Sequence, residues 1–161
     1  MEYKILKHCL NFTLIKEITM EFSMARNLSF IYRSYHKYMN TALKDINVCA
    51  GEFPILFALS RRDGLGQNEL SRVVRMNKSL VSRHIQTLST KGFININQEK
   101  ECNNKNILSL SDIGRELMPK IIAAKNNWEE KVLKDFTSKE KECFFDMLDK
   151  LLETSSNMIK E

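Results

Sequence analysis

Residues 64–91 read GLGQNELSRVVRMNKSLVSRHIQTLSTK, and this stretch decides the fold. In its second half Val81, Ile85 and Leu88 recur at i, i+4 and i+7, one stripe of an amphipathic helix. Between them lie Ser79, Ser82, Arg83, Gln86 and Ser89, a second stripe that is short, polar and basic. A helix buried by the first stripe holds the second out to solvent. Ser, Arg and Gln are rich in donors that suit base edges and phosphate oxygens. The first half, Gln67 to Val74, is a shorter helix with Leu70, Val73 and Val74 on its apolar side. Arg75-Met76-Asn77 joins the two, with Met76 placed to fill the angle and Asn77 suited to cap the second helix. Two helices joined by a short turn, the second polar near its N-terminus, make a helix-turn-helix.

The pattern then changes. Lys91-Gly92 is a helix stop, because glycine accepts the left-handed conformation that closes a helix. Phe93 to Asn97 alternates with period two, as a half-buried strand does. Gln98 to Lys105 is a polar loop, and Asn106 to Leu110 is a second short strand. A β-hairpin directly after a helix-turn-helix is a wing.

These residues together resemble the winged helix-turn-helix of the MarR family of transcription regulators. The resemblance rests on Gly64-Leu65-x-Gln67-x-Glu69-Leu70, on Asn77-Lys78-Ser79-Leu80-Val81-Ser82-Arg83 and on Leu88-x-x-Lys91-Gly92-Phe93-Ile94. It continues through Ser109-Leu110-Ser111-Asp112-x-Gly114. It implies a mainly α protein with a small β-hairpin wing, flanked by N- and C-terminal dimerisation helices. The implied division is residues 1–46 and 111–161 for dimerisation, with residues 47–110 as the DNA-binding domain. The implied function is a sequence-specific regulator, a repressor released by a small-molecule effector. Its homodimer would sit on a palindromic operator in double-stranded DNA. Lys78, Ser79, Ser82, Arg83 and Gln86 are the expected DNA-facing residues of the second helix, joined by Gln67, Arg75 and Asn77 from the first helix and the turn. Lys100 and Lys105 are the expected phosphate contacts of the wing. Tyr32, Tyr35 and His36 are the expected effector-pocket residues. The chain departs from the family at three places. Cys102-Asn103-Asn104 stands where an Asp-Arg pair is usual at the wing tip, Arg75 where a turn glycine is frequent, and Gly66 where a Ser or Thr cap is common. If the turn needs a positive φ at residue 75, arginine is strained there.

Charge points the same way. The chain has 161 residues and a formal net charge of +5. Residues 61–110 hold nine Lys/Arg against four Asp/Glu, a difference of +5, so this segment carries the whole excess. A basic segment coinciding with a helix-turn-helix and wing is the electrostatic footprint of a DNA binder.

Outside this block the chain reads as helical. Residues 1–22 suit an amphipathic helix loosely, through Ile5, Leu6, Cys9, Leu10, Leu14, Ile15 and Ile18. A long helix is expected from Ser23 to Leu43 and a short apolar one from Glu52 to Leu59, with Pro54 tolerated in its first turn. Ser111 caps a helix expected to run to about Phe136 and to bend at Pro119. Thr137-x-x-Glu140 is a capping box that opens the last helix, lined by Phe144, Met147, Leu148, Leu151 and Leu152.

No GxSxG, HExxH or P-loop pattern is present, so no enzyme, cofactor or metal is expected. His8, His36 and His84 are far apart in sequence and read as ordinary surface or core histidines. Cysteines 9, 49, 102 and 143 show no paired spacing and read as reduced thiols of a cytoplasmic protein. Charged residues interrupt the N-terminal apolar run, and no stretch is long enough to span a bilayer. Two alternatives stay open at this level. One is a thiol-based redox sensor on the same fold, using Cys49 or Cys102. The other is a winged-helix module that binds a protein partner.

Overall fold

A computed structural model describes residues 23–99 and 105–158. The helix expected within residues 1–22 and the wing tip with Lys100 and Cys102 lie outside the described residues. The chain divides into two compact units, one ending at Met118 and the other starting at Pro119.

The first unit begins with α1, Ser23–Ala42, followed by a 3-10 turn over Lys44–Ile46. α2 is Phe53–Arg61, with Pro54 in the first turn where no amide donor is needed. Then come β1, Leu65–Gly66, α3, Gln67–Val73, and α4, Lys78–Thr90. The wing is β2, Ile94–Glu99, paired with β3, Lys105–Leu110. α5, Asp112–Val132, starts in this unit. The sheet is antiparallel in the order β1-β3-β2, in register from Ile94 opposite Leu110 to Glu99 opposite Lys105. The strands therefore reach further towards the tip than the polar composition of 98–105 suggests. The third strand, with Leu65 opposite Leu108, has no counterpart in the sequence reading. Two residues are too few to show alternation, and Gly64 at φ 78 turns the chain into it.

Met39, Leu43, Ile55, Leu56, Leu59, Leu65, Leu70, Val81, Leu88 and Leu108 are almost fully buried and form this unit's core. Each such side chain contributes roughly 1.5–3 kcal/mol when taken from water. α4 is held by packing against α2, α3 and β2. The end of α4 is closed as expected at Gly92, φ 73. Gly92 N donates to Ser89 O at 2.9 Å and Phe93 N to Leu88 O at 2.9 Å, with Leu88 and Phe93 both buried. This is a Schellman motif with its apolar contact pair. The period-two reading of the next strand is only partly right. Phe93 and Ile94 are buried in succession, while Ile96 is 42 % exposed.

The second unit holds the remainder of α5 and α6, Ser138–Met158. α5 continues through Pro119 but ends at Val132, four residues short of Phe136. A turn with Phe136 N donating to Leu133 O at 3.1 Å leads into the capping box. There Thr137 N donates to Glu140 Oε2 at 2.8 Å, and Glu140 N to Thr137 Oγ1 at 3.3 Å. α6 buries none of its residues; Phe144, Phe145, Met147, Leu151 and Leu152 are exposed. In the first unit, α1 likewise exposes Met24, Leu28, Phe30, Ile31 and Tyr32. Among the described residues no helix is long and apolar enough to cross a membrane.

Candidate nucleic-acid interface

The helix-turn-helix is built as the sequence reading requires. Val81, Ile85 and Leu88 are buried, and Lys78, Ser79, Arg83 and Gln86 are exposed, with Ser82 intermediate. Asn77 is the N-cap, its side chain accepting from Ser79 N at 2.8 Å. That bond satisfies one of the amides a helix start leaves free. Gln67 opens α3, directly after Gly66 at the N-cap, where no side-chain cap bond forms. Val73, placed on the apolar side in the sequence reading, is 56 % exposed, and the buried residues of α3 are Leu70 and Ser71.

Ser71 is what fixes the turn. Its hydroxyl donates to Met76 O at 2.8 Å, and Met76 N donates to Ser71 O at 3.1 Å. The connection between them passes through Arg75 at φ 51, in the left-handed region. Arg75 is exposed, and a residue with a Cβ holds this conformation at a backbone cost. Arg62 and Glu69 pair at 2.8 Å across the entrance to α3.

The tail of α4 is held by a contact that periodicity could not reveal. Lys91 Nζ lies 2.8 Å from both carboxylate oxygens of Glu52 and donates to Asn47 O at 2.8 Å. The Glu52 side chain is only 4 % exposed and also accepts from Cys49 N at 2.9 Å. Removing one partner of such a pair would strand a buried charge. The same corner holds His84, whose pKa is lowered first by burial; Glu52 opposes the shift and Arg83 and Lys91 add to it. His84 thus has close polar neighbours and is not the isolated histidine its sequence position suggests. The available sequence signal was the Cys49-x-x-Glu52 spacing, which puts both side chains at one turn.

A second joint fixes the wing to α5. Ser111 Oγ donates to Gly92 O at 2.6 Å and accepts from Gly114 N at 3.0 Å, while Ser111 N donates to Phe93 O at 3.1 Å. A Cβ on Gly114 would collide with the Phe93 carbonyl oxygen. Arg115 pairs with Asp63 at 2.6 Å.

The expected effector residues lie on α1. The rings of Tyr32 and His36 are 4.1 Å apart, and Tyr35 meets Phe53 edge-on at 5.9 Å. Burial lowers the His36 pKa. The clefts found near α1 are lined by other residues: Ala25, Arg26, Ser29 and Arg33 in one, and Asn40, Lys44 and the 47–49 connector with Lys91 in the other. Lys105 begins β3, and Lys100 lies outside the described residues.

Helix, turn, exposed polar helix and paired wing define a winged helix-turn-helix protein. The family model described as "MarR family" matches residues 50–101. The chain is 24 % identical over 135 residues to the HTH-type transcriptional regulator BilQ of Clostridium symbiosum (strain WAL-14163), covering 84 % of this chain and 94 % of that one. A crystal structure of MarR superposes with a TM-score of 0.73 at 27 % identity, covering 84 % of this chain and 98 % of the other. A putative MarR-family regulator from Listeria monocytogenes, solved in complex with a 26mer DNA, has a TM-score of 0.78 at 24 % identity, with coverages of 84 % and 90 %. The winged helix of this chain is thus similar to that of MarR-family transcriptional regulators, whose family model covers about a third of its length.

Proposed function

We propose that the chain binds duplex DNA sequence-specifically as a cytoplasmic homodimer and represses transcription until a small-molecule effector releases it. The observation that carries the reading is the exposed stripe of Lys78, Ser79, Arg83 and Gln86 on α4, opposite the buried Val81, Ile85 and Leu88. The +5 excess in residues 61–110 adds a sequence-independent attraction for phosphate. Gln67, Arg75 and Asn77 extend the basic and polar face, and Lys100 and Lys105 supply phosphate contacts from the wing. That the Listeria regulator of the same fold was solved with a 26mer DNA supports duplex DNA as the ligand. The dimer reading rests on the apolar residues that α1 and α6 each leave exposed. A two-fold dimer sets two copies of α4 in successive major grooves and favours a palindromic operator. The effector reading rests on the ring group Tyr32, Tyr35 and His36.

A gel shift with the DNA upstream of the chain's own gene, against random competitor at fixed salt, tests the reading. Arg83→Ala should weaken binding about 5- to 150-fold, or about 1–3 kcal/mol, and relax preference at one base pair per half-site. Retardation no stronger than on competitor DNA would reject sequence-specific binding. Unchanged affinity and selectivity in Arg83→Ala would remove that residue from the interface.

A further inference from the structure

Cys49, Glu52 and His84 each bring one donor atom, a sulfur, a carboxylate oxygen and an imidazole nitrogen, to within 4.8 Å of one another. Two of the three come from a single closed turn. Cys49 N donates to Glu52 Oε2 at 2.9 Å, and Glu52 N donates back to Cys49 O at 3.0 Å. The third comes from the flank of α4, and Gly51 leaves room for it. A Cβ on Gly51 would lie 2.9 Å from His84 Nε2, and Cys49 Sγ is 4.0 Å from that same point. A cleft of about 200 Å³ beside Cys49 and Lys91 gives access from solvent.

We propose that Cys49, Glu52 and His84 form a binding site for a borderline-soft divalent transition-metal ion of the Zn²⁺ type. A thiolate, an imidazole and a carboxylate are the donors such an ion takes, and three of them leave a fourth tetrahedral position for water. Mg²⁺ and Ca²⁺ prefer all-oxygen shells and fit this set poorly. Bonds of about 2.0–2.3 Å would space the ligand atoms about 3.3–3.8 Å apart, so the cluster closes by roughly 1 Å through side-chain rotation. The neutral imidazole is the form that ligates. Cys49 gives up its proton to solvent on binding.

Lys91 is the built-in competitor. Its ammonium sits 2.8 Å from both Glu52 oxygens, a single positive charge where the ion brings two. Metal binding exchanges one partner of the buried carboxylate for another and turns Lys91 out into the cleft. The ion then joins α4 directly to the entrance of α2. Nothing in this assignment depends on DNA binding.

The test uses the full chain, reduced and freed of metal by chelation, with Co²⁺ as the spectroscopic probe and Zn²⁺ as competitor. One Co²⁺ per chain should bind, with thiolate-to-cobalt charge-transfer absorption that one equivalent of Zn²⁺ removes. Cys49→Ser should abolish that absorption, and His84→Gln should weaken Co²⁺ binding about tenfold or more. Neither residue belongs to the apolar core, and circular dichroism verifies that both variants fold. Lys91→Met should tighten Co²⁺ binding about fivefold or more, because the competing ammonium is gone. If that variant does not fold, the Cys49→Ser and His84→Gln titrations decide alone. Absence of the charge-transfer band, or its survival in Cys49→Ser through another of the four cysteines, overturns the site. Unchanged affinity in a folded Lys91→Met overturns it as well, since Glu52 would then not be a ligand.

Discussion

Arg75→Gly measures what the turn of the helix-turn-helix costs. Arg75 is exposed and holds φ 51, where a Cβ crowds the backbone. A non-glycine residue in this region costs about 1–2 kcal/mol. Glycine returns about 0.4–1 kcal/mol of that by giving the unfolded chain more freedom. The net expectation is a gain of about 0.5–1 kcal/mol, or roughly 1–4 °C in melting temperature for a chain of this size. Urea denaturation at fixed protein concentration should show a higher midpoint with an unchanged slope. DNA binding should move the opposite way. If Arg75 touches one phosphate, affinity falls and the salt slope drops by about one unit. A midpoint that stays put or falls would refute the strain argument, and would mean that the arginine side chain itself holds the turn together.

Gly114→Ala should cost about 1–3 kcal/mol although alanine is the better helix former, because the new methyl meets the Phe93 carbonyl. An unchanged urea midpoint would show that the wing and α5 can separate there freely. Glu140→Gln should flatten the acid side of the stability–pH curve. Hydrogen bonds from the Thr137 side chain and then its backbone amide hold the Glu140 carboxyl below its usual range. The folded chain therefore binds fewer protons than the unfolded one near that range. This contribution is complete above the unfolded pKa and is lost as pH falls through the folded one. An acid limb identical to that of the parent chain would disprove it.

What the sequence could show was local. Val81, Ile85 and Leu88 sort to the inside because a helix repeats every few residues, and Asn77 and Gly92 close α4 through bonds to their near neighbours. The strain at Arg75 was foreseen only through the resemblance, as arginine in place of a frequent turn glycine, and φ 51 bears out the condition it rested on. The features that escaped are those made by distant pairing. β1 is two residues long and exists only because Leu108 is opposite Leu65. Glu52 and Lys91 are 39 positions apart, and neither has a periodic signature of its own. His84 falls between the buried and exposed stripes, so the pattern assigned it no role, while the packing of α4 on α2 gave it neighbours. Val73 and Ile96 show the converse, apolar residues whose local pattern promised burial and whose surroundings do not provide it.

The attachment of α4 has a mechanical meaning. Its tail is pinned, through Lys91 to Glu52 and Asn47 and through the Schellman bonds around Gly92. Its front end is held by the buried Val81, the Asn77 cap and a turn that carries strain, with no ion pair among the described contacts there. Thirteen residues make a rod about 20 Å long. A tilt of about 5° about the tail sweeps the front end through nearly 2 Å, enough to break hydrogen bonds whose useful range is a few tenths of an ångström. The 47–52 connector is therefore the pivot of this lever. Small displacements there are magnified where Lys78 and Ser79 stand, and hardly felt at Thr90.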